Sequence, residues 1–233
     1  MKHISKIVLA IVLAAFVSAA VFSILRAQQE PSAEQILSRM AEVYSKCNSY
    51  RDTGTAKGNL KSFSIELQFK TVFTRPDRFR YEYLDKDKMP DGRDNRFIIW
   101  RKGSEVAHWW SIEPQRKMPE SLSAAIASAT GVSLQTAHTI PALLFSKDEI
   151  KGRRITDMTE VTRLEDATLE GVECSRVKGR LASFNTVIWV DKGTFLIRRI
   201  ERVSDNGVEN TVNYEPKLNE NIPDMELEFN APQ

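Results

Sequence analysis

The fold is decided by residues 61–83, which read KSFSIELQFKTVFTRPDRFRYEY. Large apolar side chains occupy nearly every second position on either side of a break at Arg75-Pro76-Asp77. A period of two predicts a strand with one buried face, and two such runs around a short turn predict an antiparallel hairpin. One face of this hairpin is therefore an apolar wall, formed by Phe63, Ile65, Leu67, Phe69, Phe79, Tyr81 and Tyr83.

Residues 1–27 are predicted to be a targeting segment. Lys2 and Lys6 precede an uncharged, almost wholly apolar run at 7–25. This order is typical of a secretory signal peptide, and the run is also nearly long enough to span a bilayer as an uncleaved anchor. In both cases the basic residues stay on the cytoplasmic side, so residues 28–233 are expected outside the cytoplasm.

The segment 28–233 has the length of one all-β domain and is nearly neutral. The whole chain has 33 Lys and Arg and 31 Asp and Glu. Three of the basic residues, Lys2, Lys6 and Arg26, fall within 1–27, which leaves 30 basic against 31 acidic residues. Domains that bind nucleic acid normally present a strongly basic face, so no nucleic-acid partner is expected.

The chain has two cysteines, Cys47 and Cys174. In an oxidising compartment two cysteines can form a disulfide, and this pairing is one interpretation. The other is two separate buried thiols, because a free cysteine packs as a small hydrophobic residue. Two cysteines this far apart lack the spacing of a zinc site, and no metal is expected.

The elements around the hairpin follow from similar patterns. Residues 32–46 have apolar positions at helical spacing and predict the first helix. A first strand is predicted at 50–56, where Gly54 and Gly58 indicate a bulge or a bend. A second hairpin, at 96–100 and 105–110, is apolar at both parities, which predicts that both of its faces are covered.

Two Ala- and Leu-rich helices are predicted at 121–130 and 133–145, between runs of strands. Their apolar residues include Leu122, Ile126, Leu134, Ile140 and Leu144. Strands return after residue 159, with turn signals between them, which indicates an antiparallel meander. The later strands are predicted at 172–180, 184–190, 195–203, 208–214 and 225–229. The fold class is therefore mainly β (α+β), with about ten strands.

Several stretches together resemble periplasmic lipoprotein carriers of the LolA/LolB type. These stretches are Phe73-Thr74-Arg75-Pro76-Asp77-Arg78-Phe79-Arg80, the helix at 36–47 running into Ser49-Tyr50, Val187-Ile188-Trp189-Val190-Asp191, and the close from Tyr214 through Asn221-Ile222-Pro223 to Pro232. The resemblance covers roughly residues 32–232. It implies a curved, unclosed antiparallel half-barrel with an N-terminal helix and inserted lid helices, in a single lipid-binding domain at 28–233.

The resemblance also implies a function: a periplasmic carrier or sensor that holds a lipid, a lipoprotein acyl chain or another hydrophobic ligand between sheet and helices. The seven wall residues would line the concave face of the sheet, together with Trp100 and Trp189. Leu122, Ile126, Leu134, Ile140 and Leu144 would line the lid. Inner-membrane or outer-membrane proteins are the expected protein partners.

An alternative function stays open from the sequence alone. The same apolar residues could fill the interior completely, because a pattern does not distinguish a filled face from an open one. The protein would then be a membrane-anchored interaction or regulatory module without a ligand. The sequence has no nucleophile with a base, no phosphate loop and no cofactor motif, so no catalytic residues, no cofactor and no enzymatic activity are expected.

Overall fold

A single antiparallel sheet forms the body of the protein. The computed structural model describes residues 30–230, except 61, 62, 86 and 88. The predicted signal peptide or anchor at 1–27 lies outside the described residues. Within the described part of the chain, no helix is long and apolar enough to cross a membrane.

Twelve strands and four α-helices are seen in the described residues. The strands are β1 Ser49–Leu60, β2 Phe63–Thr74, β3 Arg78–Asp85, β4 Arg96–Lys102, β5 Glu105–Trp110, β6 Glu113–Lys117, β7 Thr159–Leu169, β8 Val172–Leu181, β9 Phe184–Asp191, β10 Ile197–Ser204, β11 Glu209–Tyr214 and β12 Lys217–Leu218. The α-helices are α1 Ala33–Lys46, α2 Leu122–Thr130, α3 Thr136–Thr139 and α4 Pro141–Leu144. Two 3-10 helices lie at Ile155–Asp157 and Asp224–Leu227.

The strands follow the order β6-β5-β4-β3-β2-β1-β11-β10-β9-β8-β7. Strand β1 lies in the middle and pairs with β2 on one edge and with both β11 and β12 on the other. The sheet is not closed, since β6 and β7 are its two end strands. The predicted fold class, an unclosed antiparallel half-barrel with helices, is confirmed.

The predicted hairpin is strands β2 and β3. Phe69 pairs with Tyr83 and Phe73 with Phe79, so these rings share one face of the sheet. We call this the inner face and the opposite one the outer face. Helix α1 packs against the inner face: Ile36, Met40 and Tyr44 are fully buried. The Tyr44 hydroxyl accepts a 3.1 Å hydrogen bond from the Ile197 amide, which fixes the helix to β10.

The outer face of β2–β4 is covered by the C-terminal segment, residues 219–230. Trp100 Nε1 donates to the Leu227 carbonyl at 2.6 Å, and its ring lies 6.1 Å from that of Phe229. The predicted burial of the second hairpin on both faces is confirmed, because Phe97, Ile98, Ile99 and Trp100 are all buried. Side chains of both parities in β4 therefore have apolar surroundings.

The strand predicted at 225–229 is wrong. Residues Asp224–Leu227 form a 3-10 helix instead. The acidic residues of this segment bind cations of the sheet: Lys70 Nζ lies 2.6 Å from Glu226, and Arg78 binds both Asp224 and Glu228. These ion pairs place the segment across the outer face rather than along an edge of the sheet.

Of the bulge or bend predicted at the two glycines of β1, the bulge is also wrong. Pairing with β2 runs without a break from Ser49 to Leu60. The glycines instead leave room for side chains on the inner face. The rings of Phe69 and Tyr214, 5.4 Å apart, come from the two strands that flank Gly54. A Cβ at Gly54 would lie 2.4 Å from Phe69 Cζ and 2.3 Å from the Asn213 carbonyl oxygen.

Gly54→Ala is therefore expected to destabilise the protein by about 2–3 kcal/mol, since overpacking of a filled core forces backbone shifts. Urea denaturation followed by tryptophan fluorescence measures the change. Gly131→Ala is the matched control, because Gly131 has helical backbone angles and a Cβ added there would have no other atom within 4 Å. The control should be neutral or slightly stabilising; equal stability of the two variants would contradict this packing account.

Candidate functional site between the sheet and the lid

Residues 121–145, which contain helices α2, α3 and α4, cover the inner face of the sheet beside α1. We call them the lid. The Phe145 ring meets the rings of Phe73 and Phe79 edge-on, at centroid distances of 5.0 and 5.6 Å. The Tyr81 and Thr136 hydroxyls lie 2.6 Å apart and share a hydrogen bond. The lid thus contacts the predicted wall directly.

Most of the predicted ligand residues meet in this interface. Five wall residues and four lid residues are buried in one hydrophobic core: Leu67, Phe69, Phe79, Tyr81, Tyr83, Leu122, Ile126, Ile140 and Leu144. Ile65 and Leu134 are partly buried at its margin. Phe63, at the start of β2, is 59% exposed and lies outside this core. In the structure the wall is therefore packed against side chains of the lid.

Trp100 and Trp189 do not lie on the concave wall. Side chains alternate along a strand, and the neighbours Ile99 and Ile188 belong to the inner core. Trp100 is covered by the C-terminal segment, as described above. The Trp189 ring lies between two guanidinium groups, 4.5 Å from Arg176 and 5.6 Å from Arg199. Parity explains both placements: each tryptophan has a phase opposite to the inner residues of its strand.

Two arginines bind the C-terminal end of the lid. Arg75 donates to the Leu144 carbonyl at 3.1 Å and also to the carbonyls of Ser45 and Cys47 at the end of α1. Arg154 donates to the carbonyls of Ala142 and Phe145. The last carbonyls of a helix lack partners within the helix, and cations there are favourable. These contacts join the lid to α1 and to the hairpin turn.

The junction between α2 and α3 has unusual backbone angles. Leu134 and Gln135 have φ values of 52° and 68°, in the left-handed region that side chains other than glycine rarely adopt. The Leu134 side chain packs over Gly58 of β1, and its carbonyl accepts a 3.2 Å hydrogen bond from Asn210 Nδ2. The strain at this junction is thus maintained by contacts with the sheet.

A buried carboxyl group lies beneath α1. Asp52 accepts hydrogen bonds from the Tyr50 hydroxyl at 2.6 Å and from the Thr71 amide at 2.9 Å. Burial raises the pKa of Asp52 to about 6, although both hydrogen bonds act in the opposite direction. Because the folded state holds this proton more tightly than the unfolded chain, stability from Asp52 is lost as pH rises through about 6.

Asp52→Asn is expected to gain stability relative to the natural protein as pH rises from 4.5 to 7, by about 2 kcal/mol, because the amide cannot ionise. Urea denaturation at several pH values measures the difference. Asp191→Asn is the control. Burial raises the pKa of Asp191, but hydrogen bonds from Arg198 and from backbone amides outweigh burial and leave the pKa below its usual range. Its effect should not vary over this interval. Parallel pH profiles for the Asp52 variant and the natural protein would contradict the prediction.

The two cysteines are separate buried thiols in the structure. Cys47 Sγ lies 3.1 Å from the Tyr44 carbonyl at the end of α1. Cys174 lies in β8, where its Sγ is 3.6 Å from the Val172 carbonyl. Of the two interpretations, the structure has the unpaired one. Among the described residues there is also no group of three or more His, Cys, Asp or Glu that could hold a metal ion.

A separate groove of about 800 Å³ is lined mainly by the outer-face residues of β1, β2, β3 and β11 and by the turn between β7 and β8. Of the predicted ligand residues, only Phe69 belongs to its lining. Three of its five charged side chains form ion pairs: Lys70 binds Glu226, Glu82 binds Arg80 and Arg96, and Arg198 binds Asp191. The groove therefore differs in chemistry from the apolar interior.

The sequence interpretation missed a group of polar residues on the inner face. These are Thr186 in β9, Arg202 in β10 and Asn210 in β11, all buried. Arg202 pairs directly with both of the others across the sheet. The alternation of side chains along the strands could have identified them. Thr186, Arg202 and Asn210 each lie two positions from an inner residue of the same strand, namely Ile188, Ile200 and Val212.

Solved structures with a similar fold include the complex of MucA and MucB from Pseudomonas aeruginosa, with a TM-score of 0.50 and 12% identity over 85% of this chain. This chain spans 61% of the chain matched there. A putative outer membrane lipoprotein-sorting protein domain from Vibrio parahaemolyticus matches with 10% identity over 83% of this chain and 95% of that one (TM-score 0.39). A LolA superfamily protein from Nitrosomonas europaea matches with 12% identity over 86% and 99% (TM-score 0.33).

No family model and no curated protein sequence matches this chain. These three structural likenesses, each at 12% identity or less, concern the fold alone. The resemblance predicted from the sequence is confirmed as a likeness: solved structures of an outer membrane lipoprotein-sorting protein domain and of a LolA superfamily protein are among those that match this chain.

Proposed function

We propose that the protein is a cell-envelope carrier or sensor that binds a lipid, a lipoprotein acyl chain or another hydrophobic ligand between the sheet and the lid. One observation carries the proposal. An apolar wall on the inner face is covered by a lid of short, weakly charged helices, which packs into the same hydrophobic core and makes polar contacts with the sheet and the hairpin turn. A cover of this kind can separate from the wall without unfolding the sheet.

Exchange of the lid for a ligand is energetically reasonable. Burial of apolar surface contributes about 25 cal/mol per Å², or about 0.8 kcal/mol for each methylene group. An acyl chain lying on the wall would restore the apolar contacts that Phe73, Phe79 and Tyr81 lose when the lid moves. The uncovered wall alone would be unfavourable in water, so the ligand stabilises the open arrangement.

Opening requires specific contacts to break. The lid would release the bonds from Arg75 to the Leu144 carbonyl, from Arg154 to the Ala142 and Phe145 carbonyls, and between Tyr81 and Thr136. The left-handed angles at Leu134 and Gln135 make that junction a suitable hinge, since their strain is relieved when contact with Gly58 is lost.

The proposed compartment is the periplasm. The apolar run at 7–25 supports export, either as a cleaved signal or as an inner-membrane anchor. Membrane proteins of either membrane are the proposed partners. A second candidate function is an interaction module without a ligand, which is favoured by the close packing of the lid on the wall in the structure.

Arg75→Ala is expected to increase the rate at which the protein takes up the apolar fluorescent probe N-phenyl-1-naphthylamine by roughly tenfold or more. The reason is that loss of hydrogen bonds from a charged group raises the population of the open lid. Stopped-flow fluorescence measures the rate.

Arg78→Ala is the matched control for that experiment. Arg78 follows the same turn but binds Asp224 and Glu228 on the outer face, so its loss should leave uptake unchanged. Equal acceleration by both variants would indicate general loosening and contradict the role assigned to the lid.

Native mass spectrometry of the full chain, purified without added lipid, distinguishes the two candidate functions. A carrier should retain lipid in stoichiometric amounts, recoverable by extraction. Repeated absence of lipid, together with no uptake of the probe by the natural protein or by Arg75→Ala, would reject lipid binding and support the interaction module.

A further inference from the structure

Arg202 is a buried cation on the inner face of the sheet. Its residue is 2% exposed, and its strand neighbour on the same face, Ile200, is part of the hydrophobic core. Arginine is almost never fully buried in proteins without a charged partner. Burial lowers the pKa of Arg202, but a guanidinium remains protonated at any physiological pH. A permanent positive charge therefore lies between sheet and lid.

The guanidinium group uses only part of its hydrogen-bonding capacity. Nη2 donates to Thr139 Oγ1, on lid helix α3, at 3.2 Å. Nε and Nη1 are buried and have no hydrogen-bond partner among the residues that the structure describes. Within the same ranges, no carboxylate forms an ion pair with Arg202.

The acid to consider as a counterion is Asp52, on β1, two strands away from β10. Its two carboxylate oxygens accept hydrogen bonds from the Thr71 amide and the Tyr50 hydroxyl. Tyr214 lies near both groups: its pKa is raised mainly by burial, lowered by the charge of Arg202 and raised by that of Asp52. The hydrogen bonds of Asp52 with Tyr50 and Thr71 assign it to the cluster under α1.

Other polar atoms beside Arg202 are also without partners in the described structure. They are Thr186 Oγ1, Asn210 Oδ1 and the Tyr214 hydroxyl. Thr186 and Asn210 are the direct cross-strand neighbours of Arg202. Buried polar groups in folded proteins are nearly always hydrogen-bonded, and an unpaired buried charge is strongly unfavourable. Four residues with unpaired polar atoms lie together in an apolar interior. This arrangement indicates a binding site in which a ligand supplies missing hydrogen-bond partners.

We propose that Arg202, together with the hydroxyl groups of Thr186 and Tyr214, binds the acidic headgroup of an amphiphile, a carboxylate or a phosphate, whose hydrocarbon chain lies on the apolar wall. This inference rests on the proposed function and names the class of lipid. A guanidinium offers two parallel N–H donors that match two oxygens of such a group, and hydroxyl groups supply further donors. The apolar surroundings strengthen these bonds, because the local dielectric constant is low.

The site would also link the headgroup to the lid. Arg202 holds Thr139 of α3, and Asn210 holds the Leu134 carbonyl at the start of the same helix. An anion bound to Arg202 would lie beside both contacts. Recognition of the headgroup and the position of α3 would then depend on each other.

The test compares two probes that differ only at the headgroup: 11-(dansylamino)undecanoic acid and its methyl ester. Fluorescence titration of the full chain gives the dissociation constant of each. The natural protein should bind the acid roughly tenfold or more tightly than the ester, as expected for charge-assisted hydrogen bonds in a buried site. Excess acetate or inorganic phosphate should not displace the acid, since a free anion lacks the chain; displacement by either would indicate a site for small anions and contradict the proposal.

Arg202→Met should abolish the preference for the acid: its affinity for the acid should fall to that for the ester, and its affinity for the ester should stay the same. Arg202→Lys should keep part of it. Arg199→Met is the matched control on the same strand, because Arg199 binds Asn213 and lies over Trp189 on the outer face. That variant should retain the full preference. Without ligand, the melting temperature of Arg202→Met should be at least as high as that of the natural protein, since an unpaired buried charge is removed.

The possible failures are distinguishable. If the natural protein binds acid and ester equally, the headgroup site is refuted and the proposed function stands; this comparison needs no variant to fold. If Arg202→Met weakens both probes equally or lowers the melting temperature, Arg202 has a structural role and the proposal is wrong. If neither probe binds, the proposed function and this inference are both contradicted.

Discussion

The turn that follows β2 binds the two layers that cover the sheet. Arg75 reaches the inner side, where it joins the ends of α1 and α4, while Arg78 and Arg80 reach the outer side and bind Asp224, Glu228 and Asn230. Strand β4 has large apolar residues at both parities, so neither of its faces can be left in water. The first helix and the C-terminal segment, which are distant in sequence, thus both bind to this one turn. This explains why the turn, the helix and the C-terminal segment occur together in the sequence pattern on which the resemblance was based.

Periodicity predicted the parts of the fold in which one face is apolar and the other polar. The hairpin β2–β3, helix α1 and the meander β8–β11 have such patterns. Periodicity gave a wrong prediction where tertiary contacts determine the structure. Met225, Leu227 and Phe229 alternate with acidic residues, as in a strand. Ion pairs with Lys70 and Arg78 instead hold this segment across the outer face of the sheet. Strand β6, Glu113–Lys117, is exposed throughout and has no hydrophobic pattern to detect.

The candidate site was predicted in its apolar part and missed in its polar part for a related reason. Arginine is usually assigned to solvent, so Arg202 did not count as an inner residue although its phase matches Ile200. Trp100 and Trp189 were expected on the concave face together with the wall residues, although their phase is outward. Phase along the strand is thus a better guide to the face than residue type. A cation buried in an apolar core lowers the stability of the closed protein. Such a loss of stability is common at residues that serve a function.

The position of β1 in the sheet has a consequence for how the chain folds. Residues 54–59 of this strand pair with residues 209–214, and Tyr50 pairs with Leu218, so the paired residues at the centre of the sheet are 150 or more positions apart in the sequence. Contacts of such long range form late and slowly, because a large loop must close first. During synthesis, one edge of β1 stays unpaired until residues 209–218 have emerged. An exposed strand edge is a template for association with other chains, so the nascent protein passes through an aggregation-prone stage that ends only when its last strands arrive.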